Sequence, residues 1–312
     1  MDRMICIVGP TASGKTGLSV ALAKHLGAEI VSCDSMQIYR GMDIGTAKVT
    51  PEETQGVRHH MIDVASPAED FSVSRFVEQA DAAVQDILAR NKPVVLVGGT
   101  GLYVDSLIAG RSFAPFPTSG KRQELERLAE TEGIEAVMVL LQRYDPASAQ
   151  RLHLSDQKRI IRAVEVYLET GTTITEHNEH SKAVPPKYRP VWIGLDFENR
   201  QDLYDRINRR VDQMVRDGLF DEVRRLLDRG ISPRATALQA IGYRQAACAL
   251  RGESSFAQAA DQIRQASRNY AKRQLTWFRR NQAISWILQP AQPDFDEIFS
   301  RALQIIPDFD RQ

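Results

Sequence analysis

Met4-Ile5-Cys6-Ile7-Val8-Gly9-Pro10-Thr11-Ala12-Ser13-Gly14-Lys15-Thr16 is the stretch that decides the fold. An apolar run stops at a segment of the form GxxxxGK[ST]. Beyond it Leu18, Val20, Ala21 and Leu22 continue at helical spacing until Gly27. A buried strand, a glycine-rich turn and a helix in that order are the context of a phosphate-binding loop. The glycines let backbone N–H groups converge on an anion, and the helix N-terminus adds partial positive charge. Lys15 supplies a mobile cation and the Thr16 hydroxyl suits Mg²⁺. Gly9, Pro10, Thr11, Ala12, Ser13, Gly14, Lys15 and Thr16 are therefore the candidate pyrophosphate cradle, with Thr16 the candidate metal ligand.

Working outward, strands are expected at 29–33, 94–97 and 191–195, and helices over 16–26 and 72–90; Thr50-Pro51 reads as a helix N-cap with proline at the first helical position. Alternation of strand and helix predicts an α/β fold with a parallel sheet flanked by helices. Phe113-Ala114-Pro115-Phe116-Pro117 interrupts it, residues 120–170 are helical and charged, 172–190 read as a polar and then proline-rich loop, and everything from Gln201 reads as helix. The expected organisation is a P-loop NTPase-like core from 1–113 and 186–312 around an all-helical insertion at 114–185.

Lys plus Arg equals Asp plus Glu at 40 each in 312 residues, so the net charge is zero and a uniformly basic nucleic-acid wrapper is excluded, though a local basic patch is not. The 3 cysteines form no CxxC pair, which argues against zinc and a disulfide framework. No apolar run approaches a membrane span, and a cytoplasmic protein is expected. His59, His60 and Asp63 lack a further evident ligand, and His177 and His180 fall in the expected loop, so a structural role is expected for all of them.

What the loop grips is less direct. An NTPase carries an acid at the end of a neighbouring strand to hold its metal. Here the strand at 94–97 ends in Gly98-Gly99-Thr100-Gly101, and the carboxylate poised near the phosphate site is Asp34, after the second strand. Asp34 could be a metal ligand, a general base or a turn acid. The helix at 202–214 carries Arg206, Arg209 and Arg210, with Arg206 and Arg210 on one face. From Arg264 to Arg280 there are six cations and no acid, interleaved with Tyr270, Trp277 and Phe278. Cations pair with phosphates and aromatics stack on unpaired bases, although the aromatics could equally be core. A small-molecule kinase, or an RNA-binding module switched by a nucleotide, are the alternatives.

Asp34-Ser35-Met36-Gln37-Ile38-Tyr39-Arg40-Gly41-Met42-Asp43-Ile44-Gly45-Thr46-Ala47-Lys48 resembles the second signature of the bacterial tRNA dimethylallyltransferases. So do His59-His60-Met61-Ile62-Asp63, Val97-Gly98-Gly99-Thr100-Gly101-Leu102-Tyr103, Leu152-His153 with Asp156, Arg159, Arg162, Ala163 and Glu165, Ile241-Gly242-Tyr243-Arg244, and Lys272-Arg273-Gln274-Leu275-Thr276-Trp277-Phe278-Arg279. The resemblance runs in order from residue 4 to about 288. It implies transfer of a dimethylallyl group from dimethylallyl diphosphate to N6 of adenosine at position 37 of tRNA, with Mg²⁺, by a monomer whose helical insertion grips the anticodon stem-loop.

Carried over residue by residue, the resemblance makes Asp34 the general base and Thr100 the hydroxyl that contacts the diphosphate. Lys15 and an arginine, Arg206 or Arg210, complete the catalytic set. It puts Asp34, Ser35, Met36 and Gln37 at the extruded adenosine, with Thr100 also among the tRNA contacts. Further tRNA contacts would come from Arg122, from Gln157, Lys158, Arg159, Ile160 and Ile161, from Ile241, Gly242, Tyr243 and Arg244, and from Lys272, Arg273, Gln274, Leu275, Thr276, Trp277, Phe278 and Arg279.

Overall fold

The computed structural model describes residues 2–111, 113, 119–183 and 185–306 of the chain. Six strands form one sheet: β1 (Arg3–Val8), β2 (Glu29–Ser32), β3 (His59–His60), β4 (Val94–Gly98), β5 (Arg189–Phe197) and β6 (Ser285–Gln289). Their order is β3-β2-β4-β1-β5-β6 and every pairing is parallel. Parallel strands need crossovers that cover both faces, so the inner strands are apolar on both sides. Met4, Cys6 and Val8 of β1 join Val31, Val94 and Leu96 in one core, while Ile5 and Ile7 join Ile30, Val95, Ile193 and Leu195 in the other. The carboxyl ends of β1, β2 and β4 thus bring Gly9, Cys33-Asp34 and Gly98-Gly99 to one rim, where ligands bind in open α/β sheets.

Some elements depart from the sequence reading. The segment after Gln201 is not wholly helical, because Ser285-Trp286-Ile287-Leu288-Gln289 pairs with β5 as an edge strand. Only Ile287 and Gln289 of it are buried, too short a pattern to stand out between helices. The polar stretch expected as a loop instead holds the helix Ile174–Ala183, which takes in His177 and His180. Local capping elsewhere follows the residues: Thr50 and Glu53 make a reciprocal capping box with Pro51 in the first turn, and Ser72 accepts from the Arg75 N–H.

The chain divides into two compact units, one of Met1–Ile108 with Lys187–Gln312 and one of Ala109–Pro186. Residues 114–118, where the boundary at 113/114 was expected, lie outside the described residues. The smaller unit packs Leu125, Ile134, Val137, Leu141, Ile160, Ile161 and Val164 into its own core. Buried Asp145 organises it by accepting from Ser148 N–H (3.0 Å) and from the Thr175 hydroxyl (2.7 Å).

At the opposite edge of the sheet from β6, buried Glu29 meets Arg90, Lys92 (2.9 Å) and His60 (2.8 Å). The Arg90 hydrogen bonds, against the opposing effect of burial, hold its carboxyl well below the usual range. Glu29→Gln should lower stability at neutral pH by about 1–3 kcal/mol in urea unfolding, since the cations lose a charged acceptor. Because the folded-state value is depressed, this contribution is complete above the unfolded carboxylate value and disappears as pH falls through the folded one. The gap between variant and wild type should therefore shrink once the pH drops below about 4.

Candidate functional site

A cavity of about 770 Å³ opens at the rim, lined by Thr11–Thr16 of the loop, by Asp34, Ser35, Met36 and Gln37, by Gly98-Gly99, and by Arg206, Arg209 and Arg210. Its other walls are Ile207, Val211, Met214, Ile241, Ile263, Tyr270, Arg273 and Gln274. The lining combines cationic and polar groups with apolar side chains, which suits a ligand with an anionic head and a hydrocarbon tail.

The phosphate loop is held by its carbonyls. Lys15 Nζ donates to the Pro10 carbonyl (2.6 Å), Arg206 Nε to that of Ala12 (3.2 Å), and Gln289 Nε2 to that of Ser13 (2.9 Å). Gly9 has φ +145° and Gly14 φ +89°, and a methyl group on Gly9 would lie 2.4 Å from the Leu195 carbonyl oxygen. Only glycine fits there. Gly9 and Pro10 are buried behind the loop, so the part presented to a ligand begins at Thr11. Burial, with Arg210 nearby, pushes the Lys15 ammonium down to about 7, opposed by the charge of Asp34.

Arg206 is braced above the Phe197 ring at 5.4 Å and tied to the loop. Arg210 is different: one terminal nitrogen donates to the Thr46 carbonyl (3.4 Å), while its buried Nε has no hydrogen-bond partner among the described residues. Burial lowers the guanidinium pKa of both. Asp34 Oδ1 accepts from the N–H groups of Met36 (2.8 Å) and Gln37 (3.2 Å), which fixes the carboxylate at the end of β2. The Thr100 hydroxyl accepts from the Ser35 N–H (3.2 Å), so Thr100 stands beside Asp34 across the β2–β4 rim. The glycines around Thr100 are packing requirements: a methyl at Gly98 would come within 2.3 Å of the Cys33 carbonyl oxygen, and one at Gly101 within 2.2 Å of the Trp277 ring.

Several residues expected at an RNA surface have inward side chains. Ile160 and Ile161 are core of the helical unit, and Leu275 and Phe278 are core of the larger one. Gly242, at φ +96°, starts the helix Tyr243–Leu250. Tyr243 is fully buried and donates to Glu222. Gln274 is 5% exposed and bonds to backbone. Trp277 is half-buried and donates to Asp105 (2.8 Å). Helical periodicity explains the inward side chains, because a run quoted whole includes its inner face. Gln157, Lys158, Arg159, Arg244, Lys272, Arg273, Thr276 and Arg279 are exposed. Arg279 reaches buried Asp196 (2.9 Å) and Arg264 pairs with Asp212, so the acid-free run does find acids on other elements. Arg122, in the helical unit, pairs with Glu126 (3.0 Å).

The most consequential residue missed by the sequence reading is Glu222. Its carboxylate accepts from the N–H groups of Asp43 (2.9 Å), Ile44 (2.8 Å) and Gly45 (3.2 Å) and from the Tyr243 phenol, whose pKa burial and this carboxylate push well up. It thereby shapes the 43–47 segment, whose Thr46 and Ala47 carbonyls hold the Gln37 amide. Only a pairing over some hundred and eighty residues of sequence reveals it. His60 and Asp63 bond Glu29 and Lys48, and no cluster of three or more His, Cys, Asp or Glu that could hold a metal occurs among the described residues.

The IPP transferase family profile matches residues 37–281. A tRNA dimethylallyltransferase of Caldanaerobacter subterraneus is 44% identical over 298 residues, with 95% of each chain covered. One of Halalkalibacterium halodurans is 46% identical, covering 95% of this chain and 94% of the other. Among solved structures, the tRNA isopentenylpyrophosphate transferase of Bacillus halodurans aligns with a TM-score of 0.72 at 43% identity, over 96% of this chain and 94% of that one. A eukaryotic dimethylallyltransferase acting on tRNA aligns with a TM-score of 0.81 at 25% identity, over 97% of this chain and 77% of that one. A phosphate loop facing a fixed carboxylate on this sheet, in a chain so similar along its length to these enzymes, belongs to the IPP transferase family, that of the tRNA dimethylallyltransferases.

Proposed function

We propose that the chain transfers the dimethylallyl group of dimethylallyl diphosphate to N6 of adenosine 37, beside the anticodon of tRNA, and releases diphosphate. The observation that carries this reading is the placement of Asp34, held by two backbone N–H groups on the wall of the cavity that the phosphate loop also lines. The C–O bond of the allylic ester breaks, its electrons leave on the diphosphate, and the N6–C bond forms. The amine proton passes to the Asp34 carboxylate, and base removal is worth about 10²- to 10⁴-fold in rate. The loop N–H groups, Lys15, Arg206 and Arg210 are aimed at the charge that develops on the leaving group, and such fixed electrostatics are the largest catalytic contribution in many enzymes. Arg206 is tied to the loop through Nε and Arg210 donates to the Thr46 carbonyl, so both guanidiniums are held at the cavity with further N–H groups to offer the anion. Thr100 would support the diphosphate beside Asp34.

Mg²⁺ fits the donor set as an ion carried on diphosphate oxygens, with Thr16 its protein ligand; such ions commonly keep waters and bind through few protein groups plus substrate phosphates. When bound it would neutralise charge on the leaving group. The extruded adenine would meet Asp34–Gln37, since chemistry on a base requires taking it out of its stack. The exposed faces of the Phe256–Phe278 helix and of the Gln157–Thr170 helix supply cations for tRNA phosphates. No helix of the described residues is long and apolar enough to cross a membrane. A monomer, working in the cytoplasm, suffices for this chemistry.

The test is direct. Protein, Mg²⁺, unmodified tRNA and dimethylallyl diphosphate without ATP should give tRNA heavier by one five-carbon unit on one adenosine, read by mass analysis of the digest. Absence of the adduct, or transfer of the γ-phosphate of ATP to a small molecule, would replace this reading with a kinase. Asp34→Asn should keep tRNA affinity within a few-fold and lose about 10²- to 10⁴-fold in transfer rate.

Lys272→Ala combined with Arg273→Ala should weaken tRNA binding and flatten the dependence of log affinity on log salt by up to about one unit per lost phosphate contact. An unchanged slope would make this face merely solvated.

Lys15 should take up a proton when the site fills. At pH 8, above its value of about 7, the ammonium of the free protein is largely neutral, and an anion restores its charge. Calorimetry of diphosphate binding in two buffers of different ionisation enthalpy should show more uptake for wild type than for Lys15→Arg, which is always charged. The difference should fade as the pH drops below 7, where Lys15 is already protonated.

A further inference from the structure

Gln274 sits near the C-terminal end of the Phe256–Phe278 helix, between exposed Arg273 and buried Leu275, yet it is turned away from solvent. Both ends of its amide are engaged by backbone. Oε1 accepts from the Thr11 N–H at 2.9 Å, and Nε2 donates to the Gly99 carbonyl at 3.0 Å. The first partner belongs to the phosphate loop and the second is the residue before Thr100. The approach is so close that a methyl on Gly99 would come within 2.1 Å of Nε2, which accounts for glycine at that position. The Tyr270 phenol, one turn earlier on the same helix, is pushed up to about 12 by burial first and Asp34 next.

We propose that Gln274 is a positioning residue of the transfer reaction: a strut that sets the phosphate loop and the Gly99-Thr100 turn at one fixed separation and has no contact with RNA. It rests on the prenyl-transfer reading for the reaction it serves, but its effect on anion binding does not. The amide is suited to this because it presents one acceptor and one donor at a fixed distance, and the two backbone groups it joins offer the complementary pair. With Oε1 on Thr11, the Thr11 N–H is withdrawn from the anion cradle, and the N–H groups from Ala12 to Thr16 form it. Removing the strut leaves the part-buried Thr11 N–H and the buried Gly99 carbonyl without this partner and lets the loop and the turn separate. Both diphosphate affinity and the alignment of Thr100 with Asp34 then suffer, while the cations on the outer face are untouched.

The experiment uses the full chain with inorganic pyrophosphate as the probe, together with transfer kinetics and tRNA affinity. Gln274→Met keeps the length and loses both hydrogen bonds. It should weaken pyrophosphate binding about tenfold or more, a typical consequence of orphaned buried partners, with tRNA affinity kept within about twofold. Gln274→Glu separates a positioning role from a merely structural one. Its protonated carboxyl reproduces the acceptor and the donor of the amide, whereas its ionised form has no donor for Gly99 and repels the anion. Burial beside a carbonyl raises a carboxyl pKa. Pyrophosphate affinity and kcat of Gln274→Glu, each as a ratio to wild type, should therefore recover as the pH falls from about 8 to about 5.5. Pyrophosphate binding by Gln274→Met equal to wild type, a loss confined to tRNA affinity, or a ratio for Gln274→Glu that ignores pH would each overturn the assignment. Failure of the wild-type chain to prenylate tRNA would remove the reaction but leave the pyrophosphate comparison intact.

Discussion

The site depends on backbone groups in the phosphate loop being held outward by side chains from far along the chain. A loop that offers its N–H groups to an anion must dispose of its carbonyls elsewhere, because a buried unpaired carbonyl is expensive. Here Pro10, Ala12 and Ser13 give theirs to Lys15, Arg206 and Gln289. Arg206 comes from the helix that follows β5, and Gln289 from the end of β6. The edge strand therefore bears on the site although it is remote from it in sequence, and the loop geometry is a property of the whole sheet rather than of eight residues.

The same logic recurs on the other wall of the cavity. The 43–47 segment has no regular ladder to satisfy its N–H groups, and Glu222 takes three of them in succession. The carbonyls of Thr46 and Ala47 are then free to face Gln37 and Arg210. A carboxylate buried 3% exposed is tolerable because every partner is a donor, including Tyr243. Gly45 is part of the bargain, since a methyl there would fall 2.4 Å from the Tyr243 ring.

Much of the core was legible because its signals are local. The apolar runs at β1, β2, β4 and β5, the loop spacing and the Gly27 stop can all be read within a dozen residues, and the cavity does join Lys15, Asp34, Arg206 and Arg210. The four strands are buried on both faces, which makes them continuous rather than alternating in sequence. What escaped was either short and at an edge, as β6 and β3 are, or built from long-range pairs, as with Glu222, Gln274 and Gln289. The sequence of a basic helix also does not say which of its residues turn inward. Leu275 and Phe278 are core, and Gln274 is clamped to backbone, although all three lie in a run rich in cations.

The point where the larger unit lets go of the chain and takes it up again is closed by backbone hydrogen bonds. The N–H of Lys187 donates to the carbonyl of Ile108 at 3.0 Å, and that of Tyr188 to the same oxygen at 3.3 Å. The Tyr188 phenol then anchors the returning strand by donating to Asp81 at 2.6 Å and accepting from Gln85. The two cut ends of the core are thus already neighbours, and the entropic penalty of tethering a segment between touching points grows only slowly with its length. The core is in this sense a socket: evolution could lengthen, shorten or exchange what it carries at Ile108 and Lys187 without redesigning the sheet that does the chemistry.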